Sequence, residues 1–478
     1  MQIKDELIVL ILEKFGLEPT AEQAETVSRW ADFLLSTDRD EVFLLQGYAG
    51  TGKTSLVSAL IQSAPAMRIK TLLLAPTGRA AKVLAGYSGQ PAFTIHKKIY
   101  QTQMGTDGMV HVVRGVNKHT YTLFIVDEAS MIGSADEGVG RRSLLEDLVD
   151  YVQEGKNCRL MFIGDEAQLP PVGASESPAL DLEYLRAFMH LKVHHYRLTE
   201  VVRQQQLSGI LANATLLRTK LMDLSEGESP DLPMFDLQGY DDIVRLSGAD
   251  LEEVLNGAYS SDSLEQVAVI TRSNKRANLF NQAIRNRVLY REEEVNAGDY
   301  LMVVKNNYYW LDADSEMGFI ANGDIVELQG VRNHQELYGF HFVDATMRFV
   351  DYPDAPPVDC KLMLETLHSE SPSLTQEESR QLFDAVAEDY ADIPQKAERL
   401  RAIRQNPYYN ALQVKFSYAL TCHKTQGGQW GTVIIDQGYL TEEMLDREYL
   451  RWLYTAVTRA TKKVYLLNFE DKFFDGDK

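Results

Sequence analysis

The sequence lacks the marks of secreted, membrane-spanning and zinc-binding proteins. Its 478 residues include only three cysteines, Cys158, Cys360 and Cys422, whose scattered positions do not have zinc-site spacing and favour a reducing compartment. The apolar run near the amino terminus, residues 8–12, is too short for a signal peptide or a membrane span. We therefore expect an amphipathic helix there and a cytoplasmic protein that makes no membrane contact.

Basic residues are scarce relative to acidic ones. The chain has 48 lysines and arginines against 69 aspartates and glutamates, a formal net charge of −21. This balance argues against non-specific nucleic-acid binding, which depends on many contacts to phosphates. A narrow basic channel can still lie on an acidic surface, so the local residues must decide whether the protein binds nucleic acid. The length and the 45% hydrophobic content are typical of a globular protein with two or more domains.

A phosphate-binding loop is the strongest local signal. An apolar run at residues 42–45 precedes GYAGTGKT, and a helical pattern follows it, which is the context that this motif requires. Lys53 is predicted to reach the β- and γ-phosphates and Thr54 to offer its hydroxyl to Mg²⁺, while backbone N–H groups surround the phosphates. A chance glycine-rich turn is the alternative. The predicted nucleotide-binding residues of the loop are Gly47, Tyr48, Ala49, Gly50, Thr51, Gly52, Lys53 and Thr54.

Two adjacent carboxylates end a second apolar strand. Residues 122–126 are followed directly by Asp127 and Glu128. Carboxylates in this position can hold Mg²⁺ through its water and poise an attacking water molecule. We assign Asp127 to the metal and Glu128 to the base, against the alternative of a solvated surface pair.

Three more polar residues extend the predicted catalytic set. Gln168 follows a third apolar strand and is placed to sense a γ-phosphate, unless the segment is a plain loop. Arg203 and Arg459 are candidates for the cationic clamp that phosphoryl transfer needs. Since Arg459 lies far along the chain from the phosphate loop, an arginine finger there would come from a second domain. Taken alone, either arginine could be a surface residue.

The order of predicted elements indicates an α/β protein with two parallel-sheet domains. The first domain comprises residues 1–200, and the second comprises residues 201–290 and 411–478. The predicted strands are 42–46, 71–75, 122–126 and 159–163 in the first domain, and 266–270, 432–436 and 463–467 in the second.

Two insertions interrupt these domains. Residues 291–410 contain short strands with a turn at Asn322 and Gly323, then a charged helical piece at about 372–405, which predicts a small β-barrel with a helical extension. In the first domain, residues 101–120 combine turn signals with β-prone pairs and predict a hairpin. A surface hairpin with no role is the alternative there.

Taken together, these motifs resemble those of superfamily 1 helicases of the 5′→3′ branch, the RecD-like and Dda-like group. The matching segments in chain order are PTAEQ, GYAGTGKTS, APTGRAAKVL, TIHKKIY, IVDEASM, FIGDEAQLPPVG, LTEVVRQ, YALTCHKTQGGQW and LYTAVTRATKK. The resemblance implies two RecA-like lobes with ATP between them and single-stranded DNA across their top. It also implies that the inserted barrel is SH3-like and that the hairpin splits the duplex.

The resemblance assigns roles to residues that would carry no signal alone. Gln23 matches a glutamine that reads the edge of adenine. In the segment TCHKTQGGQW, the first residues match those that contact the DNA backbone, and the later ones match residues nearer the ATP cleft. At the position of Gln429 the family often has glutamate. The implied DNA-contacting residues are Pro76, Thr77, Gly78, Arg79, Thr94, His96, Thr421, His423, Lys424 and Thr425. The implied residues near ATP are Gln426, Gly427 and Gln429.

The predicted function is that of an ATP-dependent DNA helicase that uses ATP and Mg²⁺ and moves 5′→3′ on single-stranded DNA toward a duplex fork. One alternative is a nucleic-acid-gripping ATPase subunit of a repair or recombination complex without unwinding of its own. A helicase directed to RNA is another. We expect a monomer, with repair or recombination proteins as potential partners.

Overall fold

The computed structural model describes residues 3–474 except 105–109, 134–141, 203–207, 226–227, 312–316 and 318. Among the described residues, no helix combines the length and apolarity of a bilayer-spanning segment. The helices are α1 (Ile3–Phe15), α2 (Ala21–Leu35), α3 (Lys53–Ser63), α4 (Gly78–Ser88), α5 (Ile95–Ile99), α6 (Leu144–Glu154), α7 (Gly209–Asp223), α8 (Leu251–Ser261), α9 (Asn274–Ala283), α10 (Glu365–His368), α11 (Gln376–Glu388), α12 (Lys396–Arg404), α13 (Cys422–Thr425) and α14 (Arg447–Val457).

The strands form two open sheets, a barrel and a hairpin. They are β1 (Glu41–Gly47), β2 (Lys70–Ala75), β3 (Ala92–Thr94), β4 (Tyr100–Met104), β5 (Val110–Arg114), β6 (Thr122–Val126), β7 (Arg159–Gly164), β8 (Lys192–Leu198), β9 (Ile243–Leu246), β10 (Val267–Thr271), β11 (Tyr300–Val303), β12 (Ile325–Leu337), β13 (Phe340–Phe349), β14 (Val358–Met363), β15 (Leu412–Phe416), β16 (Ala419–Thr421), β17 (Trp430–Asp436) and β18 (Ala460–Leu467).

The first lobe is built on a parallel six-stranded sheet in the order β3-β2-β6-β7-β1-β8. Alternate residues of β1 enter different cores, Phe43 and Leu45 on one face and Val42 and Leu44 on the other. This explains the continuous apolar run, because helices cover both faces of a parallel sheet. The α/β prediction for this lobe is confirmed, with β3 and β8 as additional edge strands.

The second lobe holds a parallel five-stranded sheet in the order β16-β10-β17-β18-β9. Three of its strands agree with the predicted ones, and the short strands β9 and β16 are additional. One apolar cluster continues from this lobe into the first, because Tyr48 and Leu169 pack with residues of α14 such as Leu453. The two sheets therefore share a packed interface.

A closed five-stranded barrel, β11 to β15, confirms the predicted β-rich insertion. The strand that closes it, Leu412–Phe416, pairs with β11 and β14 and follows residue 410, where the sequence predicts the insertion to end. The helical extension forms α11 and α12, which pack onto the barrel itself: Leu382 and Ile403 share a core with Phe342.

The predicted hairpin is present in the first lobe. Strands β4 and β5 pair antiparallel from Tyr100 opposite Arg114 to Met104 opposite Val110. The predicted tip, residues 105–109, lies outside the described residues.

Candidate functional site

The carboxyl ends of β1, β6 and β7 meet in the middle of the first sheet, because these strands are neighbours in the order β6-β7-β1. The phosphate loop therefore lies beside Asp127 and Asp165, which follow β6 and β7. Gly50 and Gly52 have φ values of +78° and +79°, a left-handed conformation that glycine adopts without strain. Ligands of open parallel sheets bind at this edge.

Lys53 begins α3 and turns back over the loop. Its ammonium donates hydrogen bonds to the carbonyls of Gly47 and Tyr48, the second at 2.8 Å. Burial lowers the pKa of Lys53, while Asp165 and Glu128 act in the opposite direction. A half-buried cation held by loop carbonyls is a group that phosphate oxygens can engage.

The two carboxylates after β6 have different surroundings. Asp127 accepts hydrogen bonds from the Tyr87 hydroxyl at 2.6 Å and from the Glu128 N–H at 2.9 Å, and burial raises its pKa. Glu128 adopts a left-handed conformation with φ of +53°, which is uncommon outside glycine, asparagine and aspartate. Burial raises the pKa of Glu128 to about 7 although Arg459 lowers it.

Arg459 brings the second lobe to this carboxylate. Its Nη1 atom lies 3.9 Å from Oε1 of Glu128, and its side chain is held by the carbonyls of Thr455 and Gly428. The structure thus juxtaposes two predicted catalytic residues that are separated by 331 positions in the sequence. Arg203, the other predicted arginine, lies outside the described residues, just after Val202, whose N–H donates to the carbonyl of Gly50.

Two residues of α14 that sequence analysis missed tie the lobes together. The Tyr454 hydroxyl donates to Asp165 at 2.6 Å and accepts from the N–H of Ala49 in the phosphate loop at 2.8 Å. Thr455 accepts from the N–H of Leu169 at 2.8 Å. The only sequence signal that could have identified them is their position. They precede Arg459 by five and four residues, on a helix whose residues 449–457 are buried.

The predicted glutamines lie around the same loop. Gln23 is buried, donates to the carbonyl of Thr51 at 3.1 Å and accepts from the N–H of Thr20 at 3.0 Å. Gln168 is 8% exposed, and its amide oxygen has no hydrogen-bond partner in the described part of the protein. Gln426 of the second lobe donates to the carbonyl of Leu169 in the first lobe at 2.5 Å.

The predicted DNA-contacting residues of the first lobe lie at the starts of α4 and α5. Thr77 and Thr94 cap these helices by accepting from the N–H groups of Ala80 and Lys97, so their hydroxyl oxygens already serve the fold. Pro76, Arg79 and His96 are half-buried. Arg79 stacks 4.2 Å above the ring of Trp430 and donates to the carbonyls of Glu265 and Gln429.

The barrel covers the start of α4 with two buried carboxylates. Lys97 Nζ lies 3.4 Å from Asp324, and the two side chains are 6% and 1% exposed. Lys82 pairs with Asp351 at 3.5 Å. A Cβ atom at Gly78 would lie 2.8 Å from an oxygen of Asp324, so glycine is required for this close approach.

In the second lobe, some residues of the segment at α13 are partly exposed and others are buried. Thr421, His423 and Lys424 are half-buried, and burial lowers the pKa of Lys424 to about 8. Thr425 is fully buried and donates to the carbonyl of Cys422 at 2.7 Å. The phosphate contact implied for Thr425 is therefore not available in this structure, because its hydroxyl closes the turn of α13.

The glycines that follow α13 lie at the lobe interface. A Cβ atom at Gly427 would lie 2.5 Å from Cβ of Ala80 in α4, and Gly427 has a φ of +71°. Gln429 is exposed. Close packing against α4 explains why the paired glycines stand at this point.

Two family models match the chain. One described as an AAA domain matches residues 19–228, and one described as a UvrD-like helicase C-terminal domain matches residues 416–467. The ATP-dependent RecD2 DNA helicase of Deinococcus radiodurans is 25% identical over 433 residues, 88% of this chain. The ATP-dependent DNA helicase dda of Enterobacteria phage T4 is 26% identical over 300 residues, 59% of this chain.

The chain therefore resembles ATP-dependent DNA helicases, RecD2 and Dda among them. It spans 46% of the length of RecD2 and 62% of the length of Dda. Among solved structures, Pif1 helicase from Bacteroides in complex with ADP-AlF3 and single-stranded DNA is 14% identical, with a TM-score of 0.48 over 96% of this chain and 95% of that chain.

Proposed function

We propose that this chain is a superfamily 1 ATP-dependent DNA helicase that moves 5′→3′ along single-stranded DNA and unwinds duplex ahead of it. The observation that carries the proposal is the approach of Arg459 to Glu128 across the lobe interface at 3.9 Å, beside the half-buried ammonium of Lys53. A hydrolytic site divided between two lobes couples the state of the nucleotide to the relative position of the lobes.

Each residue of the site has a chemical role in the proposal. Lys53 holds the β- and γ-phosphates, and the ionised carboxylate of Glu128 accepts a proton from the attacking water. Arg459 stabilises charge on the transferred group from the opposite lobe. Gln168, whose amide oxygen is unpartnered, orients the water or senses the γ-phosphate. Gln23 lies against the loop, where its remaining N–H group can meet adenine.

The residues present fit a magnesium ion held largely by phosphates and water. No group of three or more histidine, cysteine, aspartate or glutamate side chains among the described residues is arranged to hold a metal. Mg²⁺ needs only one or two protein oxygens when it is bound together with a nucleotide. The exposed hydroxyl of Thr54 and the carboxylate of Asp127 are the proposed ligands, and the ion would neutralise charge on the phosphates.

The proposed DNA path crosses the top of both lobes. In the first lobe it runs past Pro76 and Arg79 and then past His96, whereas the implied contact at Gly78 is covered by Asp324 of the barrel. In the second lobe it runs past α13, where Thr421, His423 and Lys424 offer hydroxyl, imidazole and ammonium groups. Such groups position a DNA backbone without reading its sequence. We further propose that the protein acts as a monomer.

The experiment that tests the site is a DNA-stimulated ATPase measurement on purified Lys53→Ala and Glu128→Gln variants. We expect each substitution to lower turnover at least about 100-fold, because each removes a group that stabilises charge or accepts the proton. Circular dichroism would verify that the variants fold. Turnover close to that of the wild type in both variants would refute the assignment.

Strand displacement by the purified chain alone separates the helicase from a gripping ATPase subunit. Stimulated ATPase activity without displacement would favour the subunit. Replacing deoxyribose by ribose in the tracking strand separates DNA from RNA as the substrate.

A further inference from the structure

A second polar cavity lies outside the lobe interface, between the barrel and the helical extension. Its volume is about 610 Å³, within the range of ligand-binding pockets. Its walls are the segment 305–309 after β11, one face of α11, and the end of α12 with the residues that follow it.

The cavity is cationic although the chain is acidic. Lys305, Arg401 and Arg404 line it, and no aspartate or glutamate among the described residues does, whereas the whole chain carries 69 acidic against 48 basic residues. Within the described residues, neither Lys305 nor Arg401 forms an ion pair with a carboxylate. Two cations without a carboxylate partner among the described residues, Lys305 and Arg401, create a positive potential that favours an anionic ligand.

The same cavity presents aromatic rings on a fixed loop. Tyr308 and Tyr309 are 36% and 37% exposed. The loop that carries them is held by the carbonyl of Asn410, which accepts from the Asn307 amide at 2.8 Å and from the Trp310 indole at 2.7 Å. Rings held in place in this way can stack bases at a small cost in conformational entropy.

A chain of contacts connects the cavity to the proposed DNA path. Lys97, which follows His96, lies with its ammonium 5.9 Å from the ring centre of Phe319. Phe319 packs on Tyr308 with ring centres 4.7 Å apart, and Tyr308 lines the cavity. The cavity therefore lies next to the part of the first lobe that carries His96, with the buried side chains of Lys97 and Phe319 between them.

We propose that this cavity binds a stretch of single-stranded DNA outside the cleft between the lobes. The cations hold phosphates and the tyrosines stack bases, which requires no particular sequence. The proposal rests on the proposed helicase function. The competing explanation, that Arg401 and Arg404 only complement the carboxyl end of α12, leaves Lys305 and the exposed tyrosines without a role.

The test compares oligothymidylates of about 8 and about 20 nucleotides, lengths chosen to fill one site and more than one. Fluorescence anisotropy would measure the affinity of the full chain and of the double variant Lys305→Glu/Arg401→Glu. We expect the variant to bind the long oligonucleotide at least about fivefold more weakly, because it loses two charge-assisted contacts to phosphates, and the short one as before. The slope of log affinity against log salt should become shallower by about 1.4, for two lost phosphate contacts.

The double variant Arg380→Glu/Lys396→Glu is the matched control, because it changes the charge equally on α11 and α12 with exposed side chains outside the cavity. We expect it to keep both affinities. A second variant, Tyr309→Ala, should weaken only the long oligonucleotide and would support stacking.

Three results would overturn the cavity site. The first is that Lys305→Glu/Arg401→Glu binds the long oligonucleotide as tightly as the wild type does. The second is that the control variant loses as much affinity for the long oligonucleotide as this variant does. The third is that this variant loses as much affinity for the short oligonucleotide as for the long one. If the wild type binds neither oligonucleotide, the helicase function itself fails and the cavity proposal fails with it.

Discussion

At the scale of residues, the site depends on groups whose chemistry is changed by burial. Glu128 carries a raised pKa because it is buried beside Asp127, and Arg459 partly opposes this effect. Lys53 carries a lowered pKa for the same reason of burial. Bound phosphates would oppose the shift of Lys53, because their negative charge favours the ammonium form.

Arg459→Ala tests whether the second lobe acts on the transition state. We expect nucleotide affinity to stay within about threefold, because Lys53 and the loop hold the ground state, and DNA-stimulated turnover to fall at least about 1000-fold. A fluorescent ATP analogue would measure binding, and phosphate release would measure turnover. Lys462→Ala, an exposed cation three residues away that pairs with Asp262, is the control. Loss of binding in folded Arg459→Ala would assign the arginine to the ground state.

The pKa of Glu128 predicts the pH dependence of turnover. A base must be ionised, and a carboxyl with a pKa of about 7 is protonated below that pH, so turnover should rise with pH through this region. Rates with saturating DNA and ATP, measured between about pH 5.5 and pH 8.5, would show this acidic limb. The residual activity of Glu128→Gln should lack it. The same limb in that variant would mean that another group titrates.

At the scale of elements, the barrel is joined to the first lobe by buried charges. Lys97 of α5 contacts Asp324 and the Tyr352 hydroxyl of the barrel, at 3.4 and 3.3 Å, and Asp351 lies beside them without a hydrogen bond from the described residues. Buried ion pairs add little net stability, but removing one partner leaves the other charge uncompensated. The contact therefore fixes the geometry of the barrel over α4.

Lys97→Ala should lower the free energy of unfolding by about 3 kcal/mol, because Asp324 would remain buried and unpaired. Thermal denaturation monitored by circular dichroism would measure the effect. The double variant Lys97→Met/Asp324→Asn should recover at least half of the loss. Arg332→Ala breaks an exposed barrel pair with Asp359 and should cost less than about 1 kcal/mol. If Lys97→Ala costs no more than this control, the buried pair does not hold the barrel.

The elements that the sequence predicts well are those with one dominant signal. The loop at Gly47–Thr54 and the strands before Asp127 and Gln168 have long apolar runs that end in chemistry-bearing residues. The short strands β3, β9 and β16, of three or four residues, have too little pattern to detect. Tyr454 and Thr455 were missed for another reason: their partners are in the other lobe, and no local periodicity reports a contact across 289 or 286 positions.

At the scale of the whole molecule, the two lobes, the barrel and the hairpin have different mechanical connections. The lobes share one apolar cluster that includes Tyr48 and Leu453, and the barrel shares another with the second sheet. The hairpin forms a separate two-stranded sheet. The hairpin tip can therefore be changed without altering the interface between the lobes.

Replacing residues 104–109 at the hairpin tip by a short Gly-Ser turn tests this separation. We expect ATPase activity on single strands and displacement of a bound protein to persist, because the lobes keep their interface. Duplex unwinding should fall at least about tenfold, because an apolar tip no longer stacks on the last base pair. A Gly-Ser replacement of the exposed turn residues 353–354 of the barrel is the control. If unwinding and translocation fall together, the hairpin only supports the fold. If neither changes, strand separation occurs elsewhere, and the barrel becomes the element to vary next.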